Sequence, residues 1–181
     1  MTDTARLLAA IDFAAKKHKD QRRKDIGASP YINHPVYVAR VLADIGKVDN
    51  TEILMAAILH DTLEDTATTT DELDQYFGTA VRTMVEEVTD DKQLPKEARK
   101  QAQIEHAATL SEGAAMVKMA DKIANVQDVM EAPPSGWSQT RRRHYVEWAA
   151  TVVSRCPDVN PRLKSHFNQL AEQALRQINQ D

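Results

Sequence analysis

Apolar residues recur along this chain at intervals of three and four, and strict alternation is nowhere sustained. Leu7, Leu8, Ile11 and Ala15 share one face of the segment 4–19, and Val38, Val41, Leu42 and Ile45 share one face of 35–45. That spacing is the signature of amphipathic helices. Pro35 suits a first helical turn, where a missing amide hydrogen leaves no bond unmade. Residues 51–60 are apolar on every side, which predicts a helix sunk in the core, with Asp49 and Glu52 at capping-box spacing before it. Thr69 and Glu72 form a fuller capping box for a helix that stops at Gly78. Further helices are expected over 79–88, 96–110, 114–130, 138–156 and 160–179, separated by Gly and Pro. The expectation is an all-α fold, one helical bundle over residues 1–181, with 132–136 as a loop inside it.

Composition narrows the class. A chain of 181 residues with 42% hydrophobic and 28% charged residues can bury a core of its own, unlike a disordered segment. The single Cys156 can form no internal disulfide, and Met1-Thr2-Asp3-Thr4 lacks the basic and apolar blocks of a signal peptide. No apolar run approaches the roughly 20 residues that span a bilayer. A cytoplasmic protein with no membrane partner is expected. The net charge of −4 argues against a nucleic acid as partner. Two local basic runs, Arg22-Arg23-Lys24 and Arg141-Arg142-Arg143-His144, suit a small phosphorylated ligand instead. Oligomeric state is left open.

The chemistry concentrates around His60-Asp61, which closes the apolar run Ile53–Leu59. His34 lies just before a helix start, and Asp121 sits among the apolar residues Met116, Val117, Ala120, Ile123 and Ala124. Buried imidazoles and carboxylates are costly unless paired or bound to a metal. Two of each would suit Mn²⁺, Fe²⁺ or Zn²⁺ better than the oxygen-seeking Mg²⁺. Blander readings stand beside this one. His34 can simply shape a turn before Pro35, Asp121 can pair with Lys118 or Lys122, and Glu64-Asp65 can be a solvated helix end. Met116, Met119, Trp137 and Trp148 read as core or helix contacts, and Cys156 has no base partner that would make it a nucleophile.

The order His34…His60-Asp61…Asp121 resembles that of the HD-domain phosphohydrolases. The words Tyr31-Ile32-Asn33-His34-Pro35, Ala57–Thr66, Glu87–Asp91 and Lys118–Asn125 are similar to the hydrolase domain of RelA/SpoT proteins. Gly136-Trp137-Ser138 and Tyr145–Ala149 resemble the stand-alone alarmone hydrolases of the metazoan SpoT homologue type, and the likeness runs from about residue 5 to about 175. The resemblance implies one divalent metal, usually Mn²⁺, held by His34, His60, Asp61 and Asp121. His106 is the only other histidine between the His-Asp pair and Asp121, and its polar setting gives it a surface role. Glu64 and Asp65 are implied as the catalytic carboxylates.

The implied reaction removes pyrophosphate from the 3′ position of guanosine 3′,5′-bis(diphosphate). The implied substrate contacts are a stacking guanidinium on Arg23, its neighbour Lys24, Tyr31 in the nucleotide pocket, Asn125 one helical turn after Asp121, and Lys96 and Arg141 on the distal phosphates. For the last two, a solvated surface charge is the competing reading. Two other functions stay open: a related phosphohydrolase acting on an adenine alarmone or the 2′-phosphate of NADPH, and a non-catalytic nucleotide sensor. The intact Glu64-Asp65 pair speaks against the sensor.

Overall fold

The computed structural model describes residues 1–180, so Asp181, the last residue of the expected domain, lies outside the described residues. Ten α-helices follow one another: α1 (Asp3–Lys17), α2 (Asn33–Asp44), α3 (Thr51–Leu59), α4 (Thr62–Asp65), α5 (Thr70–Phe77), α6 (Thr79–Val88), α7 (Lys96–His106), α8 (Glu112–Glu131), α9 (Gln139–Arg155) and α10 (Pro161–Ile178). A 3₁₀ turn, Ala107–Thr109, joins α7 to α8. The described residues contain no strand, only an isolated bridge between Arg22 and Pro30. The fold is all-α, as the periodicity predicts.

Two helices form the hub. α3 packs on α1, α2, α6 and α8, while α8 packs on α2, α3, α6, α9 and α10. Their sequences explain this. Met55 through Leu59 are all buried in α3, and Val117, Met119, Ala120, Ile123 and Ala124 are buried in α8. Small residues at α8 positions 114, 115, 120 and 124 let the surrounding helices approach closely. Among the described residues, no helix is long and apolar enough to cross a membrane.

Three helix ends bear on function, and the first two differ from the sequence expectations. First, α3 is capped by Asn50, whose side chain accepts from the amides of Glu52 (2.9 Å) and Ile53 (3.2 Å), not by Asp49. Asp49 is one residue too early for its oxygen to reach the free amides of the first turn. Second, α2 starts at Asn33, so His34 stands inside the first turn rather than before it. Pro35 is tolerated there because the first-turn amides have no intrahelical partner anyway. Third, the chain closes α3 at Leu59, within one residue of the expected end at His60. It breaks at Asp61 (φ −97°, ψ −1°) and restarts as the single turn α4. The break is held by the Thr62 hydroxyl, which donates to the Leu59 carbonyl at 2.7 Å.

The capping box of Thr69 and Glu72 is present as read, with both reciprocal bonds formed. Gly78 ends α5 and opens α6 at φ +87°, a conformation that a side chain would strain. Ser111, Ser138 and Asn160 cap α8, α9 and α10.

Candidate active site

The hub helices α3 and α8, together with α2, bring the four predicted ligands together. His34 comes from the first turn of α2, His60 from the end of α3, Asp61 from the break after it, and Asp121 from the middle of α8. Ligand atoms of His34, His60 and Asp121 all lie within 4.8 Å of one another. His34 Nε2 is 3.1 Å from Asp121 Oδ1, and His60 Nε2 is 3.7 Å from the same oxygen. Asp61 Oδ2 closes the group, 3.0 Å from His60 Nε2 and 3.9 Å from His34 Nε2. Both imidazoles are buried and both carboxylates are nearly so.

A cation is the natural complement of this group. His60 Nδ1 donates to the Ala57 carbonyl at 2.8 Å, so Nε2 is the nitrogen turned toward the carboxylates. Despite its closeness to Asp61, that buried Nε2 makes no hydrogen bond. An orphaned imidazole nitrogen facing carboxylate oxygens is a ligand set directed at a shared positive charge. The electrostatics agree. Burial disfavours charge on His60, but the Asp61 and Asp121 carboxylates overcome it and push the imidazole up to about 10. Burial equally opposes ionisation of Asp121, yet Lys122 and the two histidines hold it well below the ordinary carboxylate range. The residues fit a divalent metal with two nitrogen and two or more oxygen donors.

A second layer orients the ligands. The Tyr31 hydroxyl donates to Asp61 Oδ2 at 2.5 Å, and burial followed by the Asp61 charge raises the phenol far above its usual range. Asn125 donates from Nδ2 to Asp121 Oδ1 at 2.6 Å. Its Oδ1 in turn accepts from Arg23 at 3.3 Å, so both ends of the amide are engaged. Lys122 pairs with Asp121 Oδ2 at 3.0 Å and lies over the Trp148 ring. Pairing of Asp121 with a neighbouring lysine and its place in the cluster are therefore compatible, one oxygen serving each.

The cluster's supports open onto a cleft of about 500 Å³ whose walls include Arg23, Lys24, Tyr31, Glu64, Asp65 and Asn125. Arg23 pairs with Asp128 and sits 5.6 Å above the Tyr31 ring centre, which fixes the plane of its guanidinium. Glu64 is half-buried and accepts from the Asp90 amide at 3.2 Å. Burial, then the Asp90 charge, raises its carboxyl above the ordinary range. Asp65 Oδ2 accepts from Gln21 at 2.8 Å, while its Oδ1 pairs with Lys92. The acidic pair is thus built into the cleft wall.

Lys96 and Arg141 lie elsewhere, in a neighbouring cleft of about 430 Å³. The two clefts share Arg99, Trp137 and Tyr145 as lining residues, so they lie side by side. Arg141 stacks on Trp137, 4.4 Å from the ring centre. Trp137 and Trp148 pack against the core as expected, but both also line the cleft. His106 is exposed at the end of α7, and Cys156 is buried at the end of α9.

Sequence reasoning named Lys122 only as a possible ion-pair partner of Asp121, and it missed Gln21, Lys92, Arg99 and Tyr145, which reach the cleft only because distant helices meet there.

Residues 10–150 match the family described as HD domain, and the chain belongs to it. Similar proteins narrow the class. A guanosine-3′,5′-bis(diphosphate) 3′-pyrophosphohydrolase, MESH1, of Mus musculus is 50% identical over 172 residues, which is 95% of this chain and 96% of that protein. The Drosophila melanogaster protein of the same name is 39% identical over 170 residues, covering 94% and 95%. A solved structure described as a metazoan ortholog of SpoT that hydrolyzes ppGpp superposes with a TM-score of 0.90 at 40% identity, covering 93% of this chain and 95% of that one.

Proposed function

We propose that the chain hydrolyses guanosine 3′,5′-bis(diphosphate) to GDP and pyrophosphate with the help of one divalent metal. The observation that carries this reading is the buried His60 Nε2, without a hydrogen-bond partner, facing two carboxylates behind a cation-rimmed cleft. The chain is also half-identical to a named hydrolase of that nucleotide over nearly its whole length. In this reading residues 1–181 are one HD-type phosphohydrolase domain. It works in the cytoplasm on a small nucleotide, without a membrane partner, and the net charge of −4 speaks against nucleic acid.

His34, His60, Asp61 and Asp121 would hold the metal; the mixed imidazole and carboxylate donors suit Mn²⁺, Fe²⁺ or Zn²⁺, and the family resemblance selects Mn²⁺. Such an ion, when bound, acidifies a water and polarises a phosphoryl oxygen. The chain's own residues do the rest. Glu64, with its raised carboxyl, is suited to take the proton from the attacking water. The new bond joins that water's oxygen to the phosphorus on the 3′ oxygen, and the bond from phosphorus to the 3′ oxygen breaks. Asp65, on the same wall, serves the proton demand of the departing 3′ oxygen. Arg23, held by Asp128 and Tyr31, offers a flat cation to the purine. Lys24 and Lys92 in the first cleft, with Arg99 at the junction and Lys96 and Arg141 in the second, balance up to four phosphate groups. Asn125 acts by fixing Asp121 and Arg23 relative to each other.

The test is a product analysis. Protein loaded with Mn²⁺ is given the guanine bis(diphosphate), its adenine counterpart and NADPH in parallel. Equal amounts of GDP and pyrophosphate are expected from the first. Monophosphate alone from that nucleotide, or turnover of NADPH only, overturns the reading.

A further inference from the structure

Asp65 is steered by a pair of side chains outside the metal cluster. We infer that His18 and Gln21 form a positioning pair that fixes the carboxylate of Asp65, leaving Oδ1 as the oxygen available for proton transfer. The inference rests on the reading of Asp65 as a catalytic group.

The hydrogen bonds admit one arrangement. Gln21 Nε2 donates to Asp65 Oδ2 at 2.8 Å, so the amide oxygen must point the other way. That oxygen lies 2.7 Å from His18 Nδ1. An amide oxygen only accepts, which places the imidazole proton on Nδ1. A flipped amide would set its carbonyl against the carboxylate and its NH₂ where the ring has its donor. The chain from His18 through Gln21 to Asp65 therefore has a direction, and each member keeps the next in one orientation.

The backbone holds the pair still. Gln21 N donates to the His18 carbonyl at 2.9 Å, and the Gln21 carbonyl accepts from the Tyr31 amide at 3.2 Å. On the far side, the Asp65 amide donates to the Asp61 carbonyl at 2.9 Å. Asp65 is thus tied to a proposed metal ligand through its backbone and to the α1 terminus through its side chain.

His18 itself shows what the arrangement is for. It is 2% exposed, with its ring 4.9 Å from that of Tyr31, and its Nε2 is buried without a partner. An apolar side chain would fill this space without stranding a buried nitrogen, which is destabilising. What the histidine adds is the Nδ1 donor. Lys92, on the other oxygen, is half-exposed at the cleft rim, so Oδ1 has the more easily displaced partner.

A double-mutant cycle tests the pair in the Mn²⁺-loaded protein with the guanine bis(diphosphate). Gln21→Met is expected to lower kcat about tenfold or more, with KM changed less than about twofold. In an Asp65→Asn background, adding Gln21→Met should cost nothing further. His18→Gln, which can still donate an N–H to Gln21, should keep more activity than His18→Leu. Nitrogen-resolved NMR of labelled histidine gives a readout independent of turnover, with Nδ1 protonated on His18. An equal loss in both backgrounds, or a wild-type kcat for Gln21→Met while Asp65→Asn is slow, overturns the pair and leaves the role of Asp65 standing. A wild-type rate for Asp65→Asn alone removes the assignment of Asp65, and the pair with it. If Gln21→Met does not fold, the same cycle is run with His18→Leu against His18→Gln.

Discussion

At the scale of single residues, neighbours in sequence divide the labour of the site. Asp61 faces the imidazoles, while Glu64, one turn later, faces the cleft. Asp61→Ala and Glu64→Ala should both abolish turnover, but only Asp61→Ala should lose its metal, by about tenfold or more on elemental analysis of the purified protein. Activity retained in either variant, or metal lost from Glu64→Ala, would remove these roles. The titration of Glu64 gives a second check. Burial and the charge of Asp90 both raise its carboxyl. Asp90→Asn keeps the backbone amide that bonds Glu64 but removes the charge, so the ionised form becomes easier to reach and the carboxyl titrates at lower pH. A base must be ionised to act, so turnover is lost as pH falls through its pKa. The low-pH limb of kcat should therefore move to lower pH in Asp90→Asn. An unmoved limb would assign it to another group.

At the scale of elements, the caps decide where helices begin and so where ligands point. Asn160 shows how one cap also joins two elements. Its Oδ1 accepts from the Leu163 amide, and its Nδ2 donates 2.9 Å to the Gly46 carbonyl at the end of α2. Asn160→Ala loses the cap and strands a buried carbonyl, which should cost about 2–3 kcal/mol in urea unfolding. Asn160→Asp keeps the cap and loses only the donor, so it should fall between. The break after Leu59 works in the same way. Had α3 run on unbroken, Asp61 would have projected about 100° around the helix from His60. The bond from Thr62 to Leu59 marks the point where the helix ends, with His60 turned to Asp121 of α8 and Asp61 turned to His34 of α2.

At the scale of the whole molecule, the His/Asp cluster is a junction of α2 with the hub helices α3 and α8, each of which contributes a side chain to it. Binding of a metal to the folded chain alone stabilises it, by roughly 2.7 kcal/mol at a hundredfold excess over Kd. A chelator should therefore lower the thermal midpoint by several degrees, and Mn²⁺ should restore it. The same treatment of Asp121→Ala should produce no shift. A chelator-insensitive midpoint in the parent protein would mean that the cluster holds no structural ion.

Helical class, nearly every helix and the identity of the four clustered residues could be read from the order of amino acids alone. That was possible because helical period, capping and breaking are local properties of a few neighbouring side chains. His60 and Asp61 were legible because polar groups ending an apolar run need a reason to be there. Only the tertiary structure decided how those groups are used. Gln21 and Asp65 are 44 residues apart, Asn125 and Arg23 are 102 apart, and Lys96 and Arg141 share a cleft only because α7 and α9 pack together. Such meetings depend on how helices pack across the core, where hydrogen-bond direction and burial are set by atoms far away in the chain.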